Sequence, residues 1–137
     1  MCEYCQIGED DSVLPLELDH IRAKKHHGPK TLQNTCVACA HCNVAKGSDA
    51  TGYDPLTDDL VRLFNPRTDD WKDYFFWDGP ILHGKTAIAR ATIELLRINA
   101  SGRIELRRLL LKIRQAQSRR KLSSRTHMIR RMRTTQG

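Results

Sequence analysis

No apolar run in this chain approaches the roughly 20 residues that a membrane span requires, so a membrane-spanning helix is excluded from the reading. The first residues, Met1-Cys2-Glu3-Tyr4, lack the basic region and apolar stretch of a signal peptide, and a cytoplasmic setting is expected. Hydrophobic residues make up only 39% of the chain. That is below the usual globular share, so the core should be modest and a metal staple would help it fold. Acid is missing from the C-terminal end: from Leu106 onward there are eleven Lys or Arg and no Asp or Glu. The preceding residues hold 12 basic and 16 acidic residues, so the overall charge of +7 belongs to the C-terminal segment. A one-signed segment of this kind suits a polyanion, most simply nucleic acid. No internal repeat is present, and 137 residues suggest one domain with an appendage.

Cysteine is present in a pattern. Cys2 and Cys5 form one Cys-x-x-Cys, Cys39 and Cys42 another, and 33 residues lie between the pairs. Each pair can offer two thiolates from one turn, and together they can fill the four corners of a structural zinc site. In a reducing compartment the pattern favours metal over disulfide. The intervening segment is longer than the roughly 15–20 residues of an ordinary zinc ribbon, which leaves room for a working site. Cys36 is left over and reads as a small core residue. Cys2, at the chain start, is where fraying is expected.

The pattern of elements predicts an α+β protein. Val13 to Ile21 alternates as a strand, with Leu14, Leu16 and Leu18 on one face and Pro15 marking an edge or start. Arg22 to Gln33 reads as a loop, Thr35 to Ala38 as a short strand, and Ala40 to Lys46 as a helix stopped by Gly47. Residues 51–84 hold most of the aromatics and read as irregular structure with short strands. Lys85 to Ile98 and Arg103 to Lys121 read as helices separated by Asn99-Ala100-Ser101-Gly102. The expected organisation is a zinc-bearing core over 1–50, an aromatic and helical extension over 51–121, and a disordered basic tail over 122–137.

Cys-Glu-Tyr-Cys, Leu-Asp-His-Ile, His-Gly-Pro-Lys-Thr-Leu-Gln-Asn and Cys-Ala-His-Cys-Asn-x-x-Lys-Gly follow one another over about residues 2–47. In order, spacing and residue type they resemble the HNH endonuclease family, which implies a ββα-metal core here. The segment Leu63-Phe64-Asn65-Pro66-Arg67 with Trp71 and Phe75, and Gly84 through Arg90, also resembles the C-terminal part of one bacterial branch. Tyr74 stands where relatives often carry histidine, so no catalytic role is expected there. The resemblance implies that His20 activates water and that Asp19 and Asn43 bind the catalytic metal. It also implies that Asn34 holds the loop and orients His20.

The chemistry is consistent with that. Phosphodiester hydrolysis needs an activated water, a cation facing the phosphate and help for the departing oxygen. A neutral imidazole is a suitable base near pH 7, and oxygen ligands favour Mg²⁺ or Mn²⁺ over zinc. Arg22, Lys24, Lys25, His41 and Lys46 are candidate phosphate contacts. The expected function is a divalent-metal-dependent endonuclease on double-stranded DNA, with a 5′-phosphate product implied by the same resemblance. The alternatives are a non-catalytic zinc module that binds nucleic acid, and a ribonuclease. Nothing resembles a dedicated sequence reader, so specificity is expected from a protein partner or a dimer.

Overall fold

A computed structural model describes residues 1–134. It is a mixed α+β protein built around a four-cysteine cluster, with helices at its C-terminal end. Strands β1 (Glu17–His20) and β2 (Thr35–Ala38) pair antiparallel, with Asp19 opposite Cys36 and His20 opposite Thr35. Helix α1 (Ala40–Lys46) follows at once. Cys39 is its N-cap and Gly47, at φ 53°, receives the chain at its end, a left-handed position that favours glycine.

The extension contains two further hairpins, β3 (Thr51–Tyr53) with β4 (Leu60–Arg62) and β5 (Phe75–Asp78) with β6 (Ile81–Gly84). A single turn, α2 (Trp71–Tyr74), and helix α3 (Ala87–Leu95) complete the body. Thr86 caps α3 through its hydroxyl, which accepts from the Ala89 N–H. Most rings of the aromatic segment serve the core. Phe64 meets Tyr74 and Phe75 edge to face at 5.4 and 5.1 Å, and Trp71 lies beside Phe75. Two indole N–H groups brace the first cysteine turn: Trp71 donates to the Tyr4 carbonyl at 2.9 Å and Trp77 to Gln6 at 3.1 Å.

Two elements differ from expectation. The first strand is shorter, because a 3₁₀ turn at Glu9–Asp11 and a bend held by the Ser12 hydroxyl on the Leu14 carbonyl precede it. Two of its leucines also face the wrong way for the alternation argument: Leu14 and Leu18 are exposed, while Leu16 packs partly against the core and Asp19 is the buried residue of β1. A carboxylate takes the inner face because it finds charged and hydroxyl partners there.

The last helix, α4 (Ser101–Thr134), does not end near Lys121 but runs on for 34 residues. Residues 122–134 are therefore helical where a disordered tail was expected, and 135–137 lie outside the described residues. Its first turns touch the body through Leu106, Arg103 and Arg107. From Leu111 to Arg133 every residue is exposed, Leu109 and Ile113 included on either side of that boundary. At about 1.5 Å per residue, the 34-residue helix is a rod whose outer half stands clear of the body.

Candidate active site and metal centre

The two cysteine turns meet. The Sγ atoms of Cys2, Cys5, Cys39 and Cys42 all lie within 4.8 Å of one another, and all four residues are buried. Cys5 and Cys39 are 3.8 Å apart at sulfur. Four thiolates about 2.3 Å from a tetrahedral zinc would be separated by about 3.8 Å, so this set fits structural zinc. Hydrogen bonds from Cys2 first, then Cys42 and Cys5, draw the Cys39 thiol far below its ordinary value. Cys42 is pushed far above it by the same crowding, with Cys2 the largest influence. Such a cluster shares negative charge that a bound cation would neutralise. Arg103 of α4 adds a fixed positive charge, with its guanidinium 3.7 and 3.8 Å from the sulfurs of Cys5 and Cys39.

The first turn is not frayed. Cys2 is fully buried, its N–H donates to the Ile7 carbonyl, and its own carbonyl accepts from Gln6. Glu3 then ties the turn to the outer edge of β2: its N–H donates to the Val37 carbonyl, and its carboxylate accepts from the Val37 N–H at 2.7 Å.

Tyr4, held between the two cysteines of that turn, reaches β1. Its hydroxyl donates to Asp19 Oδ2 at 3.2 Å and accepts from the Cys36 thiol. Burial, first, and the neighbouring Cys36 and Asp19 raise the Tyr4 phenol far above its usual value, so it stays a donor. Cys36, which Tyr4 touches, is buried and raised to about 11 by that burial. It is a core residue, as the sequence suggested.

Asp19 is engaged rather than open. Lys46 Nζ lies 3.2 Å from the same Oδ2 and also donates to the His20 carbonyl at 2.9 Å. The expectation that Lys46 contacts a phosphate is therefore corrected. Its side chain is only 2% exposed and acts as an internal clamp on β1. An ammonium three residues beyond Asn43 does share its helix face, but that face is covered by the hairpin. The Oδ1 of Asp19 has no hydrogen-bond partner among the described residues, which leaves one oxygen for a cation.

Asn43 lies on the same side of the hairpin. Its Nδ2 donates to Glu17 Oε2 at 2.6 Å, and its side-chain oxygen, Oδ1, has no partner among the described residues. Two oxygen donors from β1 and α1 fit a hard divalent ion better than zinc. Asn34 holds the loop as expected, but by way of the backbone. It accepts from the Arg22 N–H at 2.9 Å and donates to the carbonyls of Arg22 and Pro29. It has no bond to the His20 ring, so it positions the segment after His20 and not the imidazole itself. Gly28 sits in that loop because a Cβ there would lie 1.7 Å from the Arg22 carbonyl oxygen.

His20 Nε2 is the one side-chain nitrogen or oxygen that is buried without a partner among the described residues. Such an orphan is rare in native proteins and calls for a reason, of which an acceptor role in catalysis is one. Of the basic candidates, Arg22, Lys24 and Lys25 are exposed along the loop. His41 is occupied: its Nε2 meets the Arg97 carbonyl at 3.0 Å and ties α1 to the end of α3. A cleft of about 190 Å³ beside the strand end is lined by Ile21, Arg22, Lys46, Arg62 and Asn65, among others.

Sequence reasoning missed Glu17, Tyr4 and Arg103. Glu17 could have been found as the acidic residue two positions before Asp19 on a strand, hence on the same face. Tyr4 and Arg103 carry no local signal, since their partners are distant in sequence. Among the described residues no helix is long and apolar enough to cross a membrane.

Residues 2–49 match the family model described as HNH endonuclease. The match implies a nuclease-type or nucleic-acid-binding function and a nucleic-acid substrate for this stretch. Searches of curated proteins and of solved structures return no match.

Proposed function

From the match of residues 2–49 to the HNH endonuclease family, we propose that this protein is a divalent-metal-dependent endonuclease that hydrolyses phosphodiesters in DNA. The observation that carries this reading is the orphaned Nε2 of His20. The nitrogen without a protein partner belongs to the residue whose motif position calls for a base. A bound Mg²⁺ or Mn²⁺ would stabilise charge on the phosphate, and Asp19 Oδ1 with Asn43 Oδ1 would hold it. His20 takes a proton from the attacking water at Nε2. Lys46 fixes the His20 carbonyl and the Asp19 carboxylate in one grip, so the base and the ligand keep a constant relation. Zinc, on Cys2, Cys5, Cys39 and Cys42, is scaffold.

Supercoiled plasmid incubated with the protein and Mg²⁺ or Mn²⁺ should be converted to nicked or linear DNA. RNA of the same sequence should be cut more slowly. Binding without nicking would leave a non-catalytic zinc module, and preferential RNA cleavage would make it a ribonuclease.

The outer part of α4 supplies affinity without sequence choice, because contacts to phosphates carry little base information. Its residues are exposed and it has no acid beyond Glu105. Truncation after Lys121 removes four Arg and should weaken DNA binding. Releasing up to four phosphate contacts should make the slope of log affinity against log salt shallower by up to about 3.6. A gel-shift titration at several salt concentrations measures both quantities. An unchanged slope would remove α4 from the binding surface.

A further inference from the structure

Glu17 lies two residues before Asp19 on β1, and strand alternation puts both on the face that meets α1. The contacts pair off in parallel: Asp19 with Lys46, and Glu17 with Asn43 at 2.6 Å. These two helix residues are three apart, so they stand on one side of α1. A side-chain amide has two faces of nearly the same shape, one donor and one acceptor. An ionised carboxylate only accepts, so it admits just the NH₂ face. The Asn43 side-chain oxygen, Oδ1, is thereby directed away from Glu17 and carries no bond among the described residues.

We infer that Glu17 is a positioning residue that selects the amide orientation of Asn43, presenting its oxygen to a hard divalent cation shared with Asp19. This rests on the endonuclease reading for the use of that cation, although cation binding itself can be measured without any cleavage. Glu17 is exposed at the side of the hairpin, so replacing it leaves the core and the zinc cluster in place.

The test uses the full-length zinc-loaded protein, Mn²⁺ alone as the probe, and its affinity read by electron paramagnetic resonance. Loss of an outer-shell partner of a metal ligand commonly costs about 10–100-fold in affinity. Glu17→Ala should therefore weaken Mn²⁺ binding at least about tenfold, with zinc content and far-ultraviolet circular dichroism unchanged. Glu17→Gln, which can still accept from the amide, should fall between. The decisive comparison is made in an Asn43→Asp background. A carboxylate has two equivalent oxygens and needs no orienting partner, so Glu17→Ala there should leave affinity unchanged or raise it by relieving repulsion.

Equal weakening in both backgrounds would overturn the inference, since it would make Glu17 a ligand in its own right. So would affinity within twofold of the parent in the Asn43 protein, or no Mn²⁺ binding by the parent at millimolar concentration. Mn²⁺ binding with the predicted pattern but no cleavage of any nucleic acid would sustain the inference and sink the endonuclease reading.

Discussion

Cys39→Ser should leave the protein with well under one zinc per chain and without a cooperative unfolding transition. Structural zinc in small domains is worth about 10–16 kcal/mol at neutral pH, while a whole domain has a net stability of about 5–15 kcal/mol. Losing one thiolate of four does not remove all of that, but the two quantities are close enough for partial loss to unfold the region. Cys39 is an especially costly position. Besides its sulfur, it is the N-cap of α1 and accepts the Cys42 N–H at 3.5 Å. Metal analysis, near-ultraviolet circular dichroism and a denaturant titration would report the change together. A Cys39→Ser protein that keeps one zinc and a sharp transition would show that the four sulfurs are not the anchor of this fold.

The second large effect is catalytic. His20→Ala should lower the rate of plasmid nicking about a hundredfold to ten-thousandfold, the range lost with a general base. DNA affinity and zinc content should stay near the parental values, because the ring of His20 makes no hydrogen bond to any of the described residues. The strand end is held by other means: its carbonyl by Lys46, and the next residues by Asn34. Nicking at the parental rate by His20→Ala would end the proposal that His20 is the base. Loss of zinc along with loss of rate would point to collapse instead, and the outcome of the metal analysis separates the two.

What the sequence made legible was local. The short helix from Ala40 to Lys46 and the strand from Thr35 to Ala38 agree with the structure, because a glycine stop and β-prone residues sit within a few positions of one another. The cysteine cluster was legible for the same reason, as each half is a four-residue motif. The face of β1 was not. Alternating leucines suggested the buried side, but burial there was decided by Tyr4, Cys36 and Lys46, whose positions depend on the finished fold.

Lys46 shows the same limit. Its place on the short helix was legible, while what covers that side of the helix was not in the local pattern. The length of α4 was, by contrast, open to a better reading. No glycine or proline interrupts Arg103 to Thr134, and helices stop most readily at such breakers.

On the endonuclease proposal, Tyr4 would give the molecule two metal dependences that run on different clocks. Its hydroxyl leans on β1 at Asp19, while its backbone belongs to the turn between Cys2 and Cys5. Removing zinc from the four cysteines would release that prop, so a chelator would act on the proposed activity twice over. A divalent ion on the oxygens of Asp19 and Asn43 would depart at once and return on dilution into fresh Mg²⁺. An ion held among four buried sulfurs would leave slowly, and its departure would take the support of Asp19 with it. Brief chelation should thus inhibit, whereas prolonged chelation should inactivate.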